Sequence, residues 1–167
     1  MLYLCHNTLK IFMGEVIKKR LKQQKFESAE QEAILNLIIS SFWLRSKIDS
    51  ICQEFEITVS QYNVLRILRG IYPDGYPRCE IISRMLEPSP DVTRLIDKLI
   101  SARFVERFSS NDDRRHSISR ITKKGLTLLD TMKPKMDEFE KLIRKLMSQE
   151  EFKKLSELCE KIYGVDL

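Results

Sequence analysis

The sequence predicts a mainly α-helical fold carrying one small β-hairpin, on three observations. Apolar residues recur at helical spacing over long stretches, turn residues are scarce at five Gly and five Pro in 167 residues, and one segment reads as two short paired strands. Hydrophobic residues make up 43% of the chain and charged residues 32%, the balance of a folded protein. The length fits one domain, or one compact body with appendages.

From Ile34 the apolar positions Leu37, Ile38, Phe42, Ile48, Ile51, Cys52 and Phe55 follow a period close to 3.6, which predicts one long amphipathic helix. A short second helix follows in TVSQYNVLRILRG. There Thr58 and Gln61 have capping-box spacing, and Gly70 suits a C′ stop. YPDGYP reads as a turn, and RCEIISRMLE as a third helix ended by Pro88. A fourth helix spans Ser89 to Ala102, with Ser89 as cap, Pro90 in the first helical position and Asp91 in the first turn. Its stripe Val92, Leu95, Ile96 and Leu99 faces inward, leaving Thr93, Arg94, Asp97, Lys98 and Ser101 outward. FVERF and HSISRI are two short strands flanking a loop from Ser109 to Arg115. After Thr122 a long helix carries Leu126, Leu129, Met132, Met136, Phe139, Ile143 and Leu146, and Pro134 is expected to bend it. Ser148 and Glu151 form a second capping box, opening a last helix with Phe152, Leu155, Cys159 and Ile162.

The net charge of +5 is localised. Residues 59–125 hold thirteen Lys and Arg against eight Asp and Glu, whereas the remainder holds sixteen of each. A basic central region suggests a polyanionic partner, most simply nucleic acid. Cys5, Cys52, Cys79 and Cys159 are scattered without CxxC or adjacent His, so neither a zinc site nor a disulfide framework is indicated, and reduced thiols in a cytoplasmic protein are expected. MLYLCHNTLKIFM lacks a basic leader and is broken by His6, Asn7 and Lys10, which fits neither a signal peptide nor a membrane span; Met13 is an alternative start. There is no nucleophile elbow, phosphate loop or paired metal-ligand motif, so no enzyme, cofactor or metal is expected.

Two short helices joined by a turn and followed by a hairpin make a helix-turn-helix with a wing, whose fourth helix can enter a DNA major groove. DRRHSISRITKKG resembles the wing signature of the multiple-antibiotic-resistance regulator (MarR) family, D-x-R, five residues, an aliphatic, then T-x-x-G: Asp113, Arg115, Ile121, Thr122 and Gly125 match it in register. DVTRLIDKLISARFVER is similar to the family's recognition helix and following strand, and ITVSQYNVLRIL to its second helix, so the resemblance covers roughly residues 30 to 165. It implies a dimeric regulator of transcription binding a palindromic double-stranded operator, the recognition helix in the major groove, the wing arginine in the minor groove, and terminal helices of two subunits interlocked. It further implies a repressor that responds to a small-molecule effector. On this reading residues 1–29 are an N-terminal extension leading into the dimerisation region, 30–57 the long first helix, 58–125 the winged helix-turn-helix lobe and 126–167 the C-terminal dimerisation helices.

Two departures stand out. The family usually has Gly where this chain has Arg103, so a bulkier residue must end the recognition helix, with a positive φ as one solution; Ser117 and Ser119 replace apolar wing residues.

The expected DNA-binding residues are Ser89, Thr93, Arg94 and Lys98 on the recognition helix and Asp113, Arg114, Arg115, Arg120 and Lys123 in and behind the wing, with Arg120, Lys123 and Lys124 supplying general electrostatics rather than base reading. Arg115 is the minor-groove reader and Asp113 the carboxylate that steers it. Asp91 is either a first-turn helix acid or an acceptor for a cytosine amino group. Phe42 and Trp43 either pack in a core or dimer interface or, as the resemblance implies, line an effector pocket between the lobes. Two alternatives remain open: a regulator that senses oxidants through Cys5, and a winged helix used only for protein contact.

Arg115→Ala is expected to cost roughly 1–3 kcal/mol of specific DNA binding with folding unaffected. Asp113→Ala should reproduce part of that loss in a binding titration, although it removes a charge that DNA repels. Tighter operator binding by Asp113→Ala would make the aspartates plain turn acids.

Overall fold

The computed structural model describes residues 14–87, 91–109 and 117–166. The chain divides into two compact units, Met1–Ser46 and Lys47–Leu167. Among the described residues it forms seven α-helices and three strands.

The first unit holds α1 (Glu15–Leu21), a helix the apolar periodicity did not reveal, and most of α2 (Ala29–Gln53). In α1 only Ile17 is buried. The long helix expected from Ile34 is present, yet Cys52 is its one buried residue. Ile34, Ile38 and Phe42, four residues apart on one face, stay exposed, Phe42 at 68%.

The second unit contains the winged lobe. Its first helix, α3 (Val59–Arg69), begins with the expected capping box: Thr58 Oγ1 accepts from the Gln61 N–H at 3.2 Å, and Gln61 Oε1 accepts from the Thr58 N–H at 2.9 Å. Gly70 does end the helix, but one position earlier than the C′ site expected, as a right-handed C-cap at φ −65° whose N–H is shared between the Arg66 and Ile67 carbonyls. The turn leads into a strand too short for periodicity to show, β1 (Tyr76–Pro77).

The third predicted helix is shorter than expected: α4 spans Arg78–Ser83 and stops before Pro88 is reached. Arg84 and Met85 close i−3 bonds to Ile81 and Ile82, and the Leu86 N–H donates to Asn63 Oδ1 of α3 at 3.0 Å. A side chain from a neighbouring helix therefore takes the donor that would have continued α4.

The recognition helix α5 (Val92–Ser101) also starts later than expected, capped by Asp91, whose carboxylate accepts from the Arg94 N–H at 3.0 Å. Asp91 directly precedes the first buried residue, Val92, and so holds the N-cap position that the sequence assigned to Ser89, which lies outside the described residues together with Pro88 and Pro90. Val92, Ile96 and Leu99 are buried and Leu95 half-buried, as the stripe predicts.

The helix ends in a Schellman motif. Arg103 is left-handed at φ 63°, its N–H bonds Ile100 O at 2.8 Å, and the Phe104 N–H bonds Leu99 O at 2.9 Å. The positive φ envisaged for this bulky residue is present.

Strands β2 (Val105–Ser109) and β3 (Ser117–Ile121) pair antiparallel, and β1 joins the other edge of β3. In this register Val105 faces Ile121 inward and Glu106 faces Arg120 outward, while Ser119 lies buried opposite both Arg107 and Tyr76. The hairpin tip, with Asp113, Arg114, Arg115 and His116, lies outside the described residues.

Thr122 then caps α6 (Lys123–Arg144), which continues through Pro134. Leu129, Met132 and Met136 close the core formed with Val64, Leu65, Leu68, Ile81, Ile96 and Leu99. The last helix, α7 (Gln149–Tyr163), has the expected Ser148–Glu151 capping box but no buried residue.

Gly125 is required at its position. A Cβ there would stand 2.7 Å from Ile121 Cγ1 and within contact distance of the Phe104 carbonyl oxygen, a backbone atom that cannot rotate away. Gly125→Ala is therefore expected to destabilise the fold by about 1–3 kcal/mol in chemical denaturation. Arg103→Gly, which relieves the left-handed strain, should raise stability by up to about 1 kcal/mol in the same measurement.

Candidate nucleic-acid interface

The outward face of α5 follows from its inward one. With Val92, Ile96 and Leu99 buried, Thr93, Arg94, Asp97 and Lys98 are turned to solvent. Among the described residues, Arg94 and Lys98 have no acid paired with them, and the same holds for Lys123 at the start of α6. Asp91 is occupied at the helix start as the N-cap, one position before the first turn in which the sequence reading placed it.

Other cations of the lobe are engaged. Arg120 donates through Nε to Glu106 Oε1 at 2.8 Å, keeps a second contact from Nη2, and lies over the Phe108 ring at 4.9 Å. The outward Glu106–Arg120 strand pair thus holds the hairpin, and its positive charge is locally met. Lys124 Nζ donates to the Ala102 carbonyl at 2.9 Å and sits 4.8 Å from the Phe104 ring, placing a cation at the negative end of α5.

Two arginines that the sequence did not single out stand beside the recognition helix. Arg107 of β2 pairs with Asp97 of α5 at 2.8 Å and ties the wing to the helix. Arg78, which opens α4, donates from Nη1 to Thr93 Oγ1 at 2.8 Å. Both belong to the basic central region. Their placement depends on which face of α4 and β2 meets α5, and no local pattern encodes that. Arg78, Thr93 and Arg107, with Ser117 and Ser119, line a cleft of about 410 Å³.

A second cavity, of about 640 Å³, lies between α3 and α6, lined by Tyr62, Arg66 and Arg69 on one side and Leu129, Lys133, Met136 and Glu140 on the other. Burial raises the Tyr62 hydroxyl above its usual range. Phe42 and Trp43, the sequence's candidates for an effector pocket, sit on α2 in the first unit, and this lining lies wholly in the second.

Cys52 is fully buried; desolvation first and the Asp49 charge second push its thiol up to about 11, which makes it unreactive. Cys79 is exposed, and Cys5 lies outside the described residues. Among the described residues no cluster of His, Cys, Asp or Glu could hold a metal ion, and no helix is long and apolar enough to cross a membrane.

No family model and no curated protein matches the chain. Solved structures do. A MarR-like transcription regulator from Bacillus cereus superposes with a TM-score of 0.71 at 19% identity, over 81% of this chain and 96% of that one. Staphylococcus aureus MepR in its DNA complex superposes with a TM-score of 0.70 at 23% identity, over 80% and 96%. These two share the fold. A MarR transcription factor from Planctomyces limnophilus is nearer in sequence, 31% identical with a TM-score of 0.63, over 81% of this chain and 98% of its own. With the recognition helix, the wing strands and the Thr122–Gly125 joint of the sequence signature all in place, that identity across nearly a whole relative means that the chain belongs to the MarR family of transcription regulators.

Proposed function

We propose that the chain binds double-stranded DNA as a homodimer and acts in the cytoplasm as a ligand-responsive repressor of a palindromic operator. The observation that carries this reading is the outward face of α5: Thr93, Arg94 and Lys98 exposed on a helix whose opposite face is anchored in the core. A helix of that kind can lie in a major groove about 12 Å wide. Thr93 then meets base edges, and Arg94 and Lys98 meet bases or phosphates. In the sequence Ser89 precedes α5 and Asp113, Arg114 and Arg115 fall between β2 and β3, all outside the described residues, while Lys123 opens α6. Arg115 enters the minor groove with Asp113 steering it, and Arg114 approaches phosphate. Arg120, already paired with Glu106, adds to the field around the wing without reading bases. The MepR structure, which is a DNA complex, supports the same use of the shared fold.

Dimerisation is supported by the terminal helices. Ile34, Ile38 and Phe42 on α2 and Leu155, Leu158 and Ile162 on α7 are exposed at apolar spacing, and a second copy of the chain is the simplest cover. Phe42 and Trp43 are assigned to that contact. For the effector, the cavity between α3 and α6 offers cationic, acidic and aromatic walls, and a ligand bound there acts by favouring a conformation with lower DNA affinity. The protein is a regulator and not an enzyme.

The test is titration against the DNA upstream of its own coding sequence at two salt concentrations with competitor DNA. Specific, salt-sensitive binding is expected, and Arg94→Ala or Lys98→Ala should weaken it by roughly 1–3 kcal/mol. Light scattering should give twice the chain mass, with operator half-sites about 34–36 Å apart or a multiple of that. A monomer at micromolar concentration contradicts the palindrome.

A further inference from the structure

The bond from Arg78 Nη1 to Thr93 Oγ1 joins two exposed side chains fifteen residues apart, one opening α4 and the other in the first turn of the recognition helix. Between exposed groups such a bond contributes little to stability, so its consequence lies in orientation. A threonine hydroxyl has one hydrogen and two lone pairs, whereas a guanidinium only donates. With Arg78 occupying a lone pair at 2.8 Å, the hydroxyl hydrogen must point away from that line. Arg107, the other guanidinium of the cleft, is matched by Asp97, whereas Arg78 donates to a neutral hydroxyl oxygen.

On an unassisted recognition helix a hydroxyl serves donors and acceptors on base edges alike. We infer that Arg78 is a positioning residue that turns Thr93 into a hydrogen-bond donor toward a base acceptor (purine N7, guanine O6 or thymine O4) and so narrows the operator sequence. The inference rests on the DNA-binding reading above. It adds a residue outside the recognition helix and the wing to the set that determines specificity. Arg78 lies on the surface, so replacing it leaves the core intact.

The test is a double-variant cycle on DNA. Operators selected by the wild-type chain from randomised duplexes, their single base-pair variants and random duplex are titrated with wild type, Arg78→Ala, Thr93→Val and the double variant. Arg78→Ala and Thr93→Val should each reduce the preference at the same base pair by about five- to tenfold, with the double variant losing little more than either alone. Affinity for random duplex should change much less. A direct phosphate contact by Arg78 would instead weaken operator and random duplex by one common factor, lower the salt slope by about one and leave base preference unchanged, which overturns the inference. Losses that multiply in the double variant overturn it too, since the two residues would then act independently. Failure of the wild-type chain to bind any duplex removes the DNA-binding reading itself, and the inference with it.

Discussion

The joint between the recognition helix, the wing and α6 is the constraint on which the DNA-facing geometry depends. Thr122 sits at its centre. Its hydroxyl lies 2.8 Å from the Arg103 carbonyl and 3.2 Å from that of Phe104, and the same oxygen accepts from the Gly125 N–H at 3.1 Å to cap α6. The Phe104 peptide meanwhile donates backward to Leu99 and accepts forward from the Thr122 N–H at 3.0 Å. The end of α5, the sheet and the start of α6 are thus bound through a few backbone groups, and Gly125 lets them approach without a side chain between. These bonds couple the start of α6 to the end of α5, and the proposed effector response would reach the DNA-facing helix through them.

Charge in the lobe divides by function. Arg107, Arg120 and Lys124 are held by Asp97, Glu106 and the Ala102 carbonyl, all within the wing and the end of α5. Exposed ion pairs of this kind add only about 0–1 kcal/mol each, so their effect is on geometry: Arg107–Asp97 ties the wing to α5 and Glu106–Arg120 holds the hairpin together. Arg94, Lys98 and Lys123 remain turned to solvent. The basic excess therefore separates into cations engaged within the lobe and the exposed cations that the proposed function assigns to DNA.

The terminal helices contrast with this closed core. Residues from Cys52 to Met136 supply a continuous buried cluster, whereas α7 buries nothing and most of α2 stays exposed. Helices with good caps and apolar faces but no covering layer are incomplete as packed elements. The proposed second copy of the chain supplies that layer, and it would link the spacing of two recognition helices to the fit between terminal helices.

What the sequence determined by itself is whatever short-range spacing encodes: the capping boxes at Thr58 and Ser148, the buried stripe of α5, the two paired strands of the wing and the signature that names the family. These depend on residues a few positions apart, so the chain states them locally. Tertiary structure decided the rest. The two-residue β1 exists only because β3 is there to pair with it, and α4 stops short because Asn63, 23 residues earlier, takes the Leu86 N–H. Asp91 rather than Ser89 caps α5 where burial of Val92 fixes the first turn. Arg78 meets Thr93, and Arg107 meets Asp97, because α4 and β2 fold against α5. Contacts across such separations have no periodic trace in sequence, since the partner's face is set by the packing of whole elements.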